Sequence, residues 1–303
     1  MTGAWRAGGR RHGGTIGRVP ALPSDPRRRP IAVFDSGVGG LTVLHELLVA
    51  LPHEDFLYLG DTARFPYGDR EPAELEAFSL QIADTLLAAD AKLLVVACNS
   101  ATAAALPALE AHVEQAGGGI DVVGVVTPES QHAVVATRNG RIGLLATPAN
   151  VASGAYDRAV RQADRLVELI SVPCPDLAPL IQSGFPVDER VVASVRAVCE
   201  PLREAQADTV ILGCTHYPLV RPMLQRALGP DVAIIASGAA VARRVQHALA
   251  VRGLESPATG EGDYRFLCTG DTEAFRTVGT RFLQLPLGPV QHVDLPVPAV
   301  RAA

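Results

Sequence analysis

The chain alternates short, almost wholly apolar runs with longer stretches of helix-forming residues. The runs are IAVF (31–34), FLYL (56–59), LLVVA (93–97), VVGVV (122–126), IGLLA (142–146), VILG (210–213), VAII (232–235) and YRFLC (264–268). Between them lie segments such as TVLHELLVAL (42–51) and PAELEAFSLQIADTLLAAD (72–90). A strand with one face in water alternates apolar and polar positions; these runs do not. Continuous apolar strands separated by helices predict parallel sheets covered on both faces. Ligands of such sheets collect beyond the carboxyl ends of the strands, so the residues after each run are the candidates for chemistry.

Those residues repeat. IAVF is followed by Asp35-Ser36-Gly37 and LLVVA by Cys98-Asn99-Ser100; IGLLA is followed by Thr147-Pro148-Ala149-Asn150 and VILG by Cys214-Thr215-His216. The two cysteines lie 116 residues apart. This weak internal echo predicts an α/β fold of two pseudo-symmetric, doubly wound parallel-sheet lobes, with the active site in the cleft between them.

A free cysteine is often a small buried hydrophobe. Two at matching positions, each followed by hydroxyl and amide side chains, suggest a task. A thiol with a neighbour that supports its thiolate can move a proton near neutral pH. Thiols facing one another across a cleft could take a proton from one face of a carbon and deliver one to the other, inverting a stereocentre without a cofactor. Asp35 and His216 are the neighbours that could help, although Asp35 also reads as a helix N-cap. A hydrolase using Cys214 with His216 would be another use of the second motif, but it leaves Cys98 without a role. FDSGVGGLTVLHEL places glycines at a helix start, where backbone N–H groups favour an anion. Thr42 breaks the dinucleotide fingerprint. YLGDTARFPYGDR (58–70) reads as a loop whose backbone could hold substrate. Cys174, Cys199 and Cys268 lack such polar companions and read as structural.

Composition narrows the field. Five cysteines, no C-x-x-C and no apolar leader argue against a disulfide framework and predict neither a metal site nor secretion. No apolar stretch is long enough for a membrane span. The cytoplasm is the expected compartment. Of 27 basic residues only Lys92 is lysine. It sits at a strand entrance, where it reads as a solvated charge rather than a Schiff-base lysine, so no cofactor is expected. Residues 1–29 are Arg-, Gly- and Pro-rich and read as a disordered basic extension. Nucleic acid is not an expected partner, apart from weak contacts by that tail. A homodimer is compatible with the sequence.

FDSGVGGLTV, YLGDTARFPYG, ACNSATA, GLLATPAN, LGCTHYPLV and the late TGD, in this order over about residues 31–282, resemble the glutamate racemases. The resemblance implies cofactor-independent interconversion of L- and D-glutamate for peptidoglycan precursors. It implies Cys98 and Cys214 as acid/base thiols, the first acting on D-glutamate and the second on L-glutamate, assisted by Asp35 and His216. It implies substrate contacts from Asp35, Ser36, Tyr67, Gly68, Asn99, Ser100, Thr215 and His216. It also implies a first lobe of 30–125 plus 237–290, a second of 126–236, and a C-terminal tail of 291–303. The chain departs from the family pattern at four places. Gln182 stands where a glutamate would support the second thiol's histidine, and Asn150 where a threonine is common. Glu129 follows Pro128 where glycine is usual, and Ala236 stands where an aspartate often precedes Ser-Gly. An aspartate racemase of the same kind, or a degenerate racemase kept for binding, are the alternatives.

Overall fold

The computed structural model describes residues 25–116, 119–183 and 189–295. In chain order β1 (Ile31–Asp35), α1 (Leu41–Ala50), β2 (Phe56–Gly60), α2 (Pro72–Leu87), β3 (Leu93–Val96), α3 (Asn99–Gln115), β4 (Asp121–Gly124) and α4 (Val126–Ala136) come first. Then follow β5 (Arg141–Ala146), α5 (Pro148–Ala152), α6 (Ala155–Ala163), β6 (Glu168–Pro173), α7 (Leu177–Ser183), α8 (Glu189–Glu204), β7 (Thr209–Gly213), α9 (Arg221–Leu228), β8 (Ala233–Ile235) and α10 (Ser237–Arg252). β9 (Tyr264–Cys268), α11 (Thr272–Leu283) and β10 (Val290–His292) complete the described chain. The strands form two sheets, ordered β10-β9-β2-β1-β3-β4 and β6-β5-β7-β8. Every strand pair among the described residues is parallel.

The apolar runs become strands because both of their faces are buried. All five residues of β1, β2 and β7 are buried. In β1, Ile31 and Val33 join a core continuous with the second sheet, whereas Ala32 and Phe34 face a separate core that also holds Leu75 and Ile82 of α2 and Leu109 of α3. That is the two-residue side-chain period of a strand with apolar contacts on each side. After β8 the chain returns to the first sheet: β9 pairs with β2, setting Tyr264 opposite Phe56.

Several expectations are corrected. Val125 and Val126, read as the end of a strand, are the N-cap and first residue of α4. β6 was absent from the predicted strands because ELISVP is only partly buried and edge-exposed. Gln291 and His292, placed in the C-terminal tail, pair with Leu267 and Cys268. Within the N-terminal extension, residues 1–24 lie outside the described residues, but Pro26–Arg28 form a 3-10 turn and Arg29 pairs with Asp90 at 2.9 Å. Lys92 is not a solvated charge. It is 2 % exposed, bonds Glu54 at 2.5 Å and also donates to the carbonyls of Arg27 and Leu254. The burial of a strand entrance under flanking loops is a tertiary fact that a local pattern does not carry.

Candidate active site

The carboxyl ends of β1, β3, β5 and β7 meet at one cleft. From the first sheet's side it is lined by Ser36, Tyr67, Gly68, Cys98, Asn99 and Ser100; from the second's, by Thr147, Cys214, Thr215 and His216. Cys98 follows β3 and is the N-cap of α3, its Sγ accepting the Ala101 N–H at 3.5 Å. Cys214 directly follows β7. The two thiols are near enough that negative charge on Cys98 raises the pKa of Cys214. Ser100 Oγ lies 3.2 Å from Thr147 Oγ1, and Ala149 N–H donates to Gly68 O at 3.3 Å, so the two sheets' loops touch around the thiols.

Asp35 is fully buried and does not itself line the cleft. It accepts the Gly37 N–H at 3.0 Å and the Thr215 hydroxyl at 3.4 Å. It is also not the cap of α1, whose N-cap is Gly40. Burial raises the Asp35 pKa. Burial, then the charge of Asp35, pushes Cys98 up to about 12; the Ala101 N–H and Ser36 pull the other way. Burial also holds Cys214 well above its ordinary value, against a lowering contribution from the His216 backbone.

His216 is 1 % exposed. Its ring packs against Phe65 and Phe282 with centroids 5.5 and 5.1 Å away. Desolvation lowers its pKa to about 4, so the ring is neutral near pH 7. Nε2 lies 2.9 Å from Gln182 Oε1 and Nδ1 lies 3.9 Å from Cys214 Sγ. An amide oxygen can only accept, so Nε2 carries the proton and Nδ1 is left to receive one from the thiol. Asn150 is 1 % exposed and donates to the Gly213 carbonyl at 3.0 Å, bracing the residue before Cys214.

Two readings of the loops change. The glycines after β1 serve close approach as well as the helix start. A Cβ on Gly39 would meet Thr215 Oγ1 at 2.3 Å and His216 Nδ1 at 2.5 Å, so only hydrogen lets this loop close against the second sheet. The phenol of Tyr67 is already engaged: it donates to Asp61, a fully buried carboxylate that Arg64 also grips at 2.6 Å. Asp61, Arg64, Thr147 and Phe65 were not among the predicted site residues. For Thr147 a signal existed, since it directly follows the apolar run of β5. Among the described residues no group of three or more His, Cys, Asp or Glu could hold a metal.

Paired thiols at the ends of parallel strands in two facing α/β sheets define the class, and the chain belongs to the Asp/Glu/hydantoin racemase family, whose profile matches residues 41–245. Its similarity is to glutamate racemases in particular. The enzyme of Geobacter metallireducens is 41 % identical over 267 residues, covering 88 % of this chain and 97 % of that one. The crystal structure of glutamate racemase isoform RacE1 from Bacillus anthracis superposes with a TM-score of 0.84 at 36 % identity, covering 89 % of this chain and 99 % of that one. That of the Francisella tularensis enzyme in complex with D-glutamate gives 0.82 at 30 % identity, covering 88 % and 98 %. The resemblance read from the motifs and the two-lobed α/β class are both borne out.

Proposed function

We propose that the chain is a cofactor-independent glutamate racemase acting through Cys98 and Cys214, and that it supplies D-glutamate for peptidoglycan in the cytoplasm. The observation that carries this reading is the pair of thiols, one from the end of a strand in each sheet, lining one cleft. One cysteine, as thiolate, takes the α-proton and becomes a thiol. The other gives its proton to the opposite face of the planar carbanion and becomes a thiolate. Inversion is complete and the thiols have exchanged roles. Because burial disfavours both thiolates, each needs an acceptor when it acts as base: His216 Nδ1 for Cys214, and Asp35 for Cys98.

Substrate carboxylates are assigned to the N-terminus of α3 at Asn99 and Ser100, and to the hydroxyls of Ser36 and Thr215. Tyr67 and Gly68 form the loop over the cleft. Lys92 lies at the amino end of β3 in an ion pair with Glu54, away from the thiols, and so is not placed to carry a pyridoxal aldimine. Among the described residues no helix is long and apolar enough to cross a membrane. We place the first lobe at 30–125 plus 237–290 and the second at 126–236; a homodimer is the assembly to seek by sedimentation.

The test is purified protein with L-glutamate, D-glutamate and L-aspartate, followed by circular dichroism. Both glutamate enantiomers should relax to a racemic mixture without added cofactor. Faster turnover of aspartate would move the assignment to an aspartate racemase, and no turnover of either would leave a binding protein.

A further inference from the structure

Glu129 is 0 % exposed, stands where the family pattern has glycine, and plays no part in the proton transfers above. Three helix starts converge on its carboxylate. It lies in the first turn of α4; Asn99, the first residue of α3, donates from Nδ2 to Oε2 at 3.1 Å; Ser237, the first residue of α10, donates to Oε1 at 2.5 Å. Tyr156 of α6 donates to Oε2 at 2.5 Å and receives a second bond from Asn99 Nδ2 at 2.7 Å. The N-cap of α10 is Ala236, which makes no side-chain cap. The acid missing from α10's own cap is therefore met by one from α4. Asn99 sits on α3, which joins two strands of the first sheet, whereas Glu129 sits on α4, which leads from the first sheet into the second.

We infer that Glu129 is a positioning residue: it fixes the amide of Asn99 beside Cys98 and ties that wall of the cleft to α10 and to Tyr156 on the second sheet's side. Asn99 Nδ2 is held by two partners, and Oδ1 is the amide atom with no protein partner. A carboxyl group whose Oε2 accepts from Asn99 and whose Oε1 pairs with Ser237 leaves the Asn99 amide one orientation in either protonation state, with Nδ2 toward Glu129 and Oδ1 without a protein partner.

The inference rests on the racemase reading, and a double-mutant cycle separates the two. Racemisation of D- and L-glutamate is measured for wild type, Glu129→Ala, Glu129→Gln, Asn99→Ala and the Glu129→Ala/Asn99→Ala pair. Glu129→Ala should lower kcat/KM on the order of tenfold, the size of one hydrogen-bonded coupling. Glu129→Gln, which keeps the shape and an acceptor oxygen, should restore most of it. In the Asn99→Ala background, Glu129→Ala should add less than about a twofold further loss, because the residue through which it acts is gone. Losses that multiply in the pair, or a Glu129→Ala enzyme as active as wild type, would overturn the inference. If Glu129→Ala fails to fold, Tyr156→Phe takes its place in the cycle with the same two outcomes. A wild type inactive on glutamate would sink the racemase reading and this inference together.

Discussion

At Cys98 and Cys214 burial opposes the ionisation that proton abstraction requires. Each side chain is less than a tenth exposed and both pKa values are raised. A serine at either position has the reach of the thiol without its acidity. Cys98→Ser and Cys214→Ser should each lose racemisation by a factor on the order of 10² or more. Each should still eliminate a leaving group from only one enantiomer of a suitable analogue, with opposite preferences. A serine variant that racemises at near wild-type rate would refute the two-base assignment. Gln182 is the second test at this scale. Its amide orients His216 and supplies no charge, and His216 sits at about 4. Gln182→Glu would place a carboxylate at that distance, raise the histidine's pKa and favour the imidazolium beside Cys214. Exchange of the α-proton of L-glutamate should then rise about tenfold for a barrier lower by about 1.4 kcal/mol, while exchange from D-glutamate changes less. An unchanged rate, with an imidazole titration by NMR showing no upward shift, would mean that Gln182 does not govern the second thiol. That Gln182 and His216 face each other was readable only through the family pattern; they are 34 residues apart.

Among the elements, the turn between β1 and α1 has the tightest steric requirement. Gly39→Ala would drive a methyl group into Thr215 and His216. Since a misplacement of about 1 Å can cost a hundredfold in rate, kcat/KM should fall by about that factor. Gly260→Ala meets open space and should leave both rate and melting temperature alone. Equal behaviour of the two variants would remove the packing explanation. The start of β3 makes a separate case. Lys92→Met leaves Glu54 buried without its cation, a loss of about 3–5 kcal/mol. The melting temperature should drop by roughly 10 °C, with activity per folded molecule retained. β1, β2, β3 and β7 were legible because each is apolar on both faces and wholly buried. β6 and β10 were not, because edge strands of mixed composition acquire their conformation from the neighbour they pair with.

Across the whole molecule, two buried groups give stability opposite pH slopes. Burial pushes Glu129 up to about 8 from an ordinary 4.5, against bonds from Ser237, Tyr156 and Asn99. None of these three partners is charged near neutral pH, and burial raises Tyr156 well above its ordinary value. The fold therefore prefers the neutral acid. Its stabilising contribution is complete below about 4.5 and is lost as pH rises through about 8. His216 is the reverse: its pKa falls from 6.5 to about 4, so its contribution is present above 6.5 and is lost as pH falls through about 4. Melting curves from pH 4 to 9 should show Glu129→Gln gaining on wild type between about 4.5 and 8. Parallel curves for the two proteins would mean that Glu129 is ionised throughout.

Read alone, the sequence determined the parallel α/β class, the two thiols at equivalent strand ends and the polar residues that follow them. These follow from local rules: apolar runs need two covered faces, and chemistry gathers where strands end. Only its resemblance to the family marked Gln182, Asn150, Glu129 and Ala236 as departures, without saying what they touch. Only the tertiary structure decided that Glu129 meets Ser237 and Asn99, that Asn150 braces Gly213, that Asp35 stands behind Thr215, and that Lys92 is buried. Each of these contacts joins residues between 30 and 180 positions apart. Such pairings depend on how two sheets pack across a cleft, and no periodicity along a single segment records that.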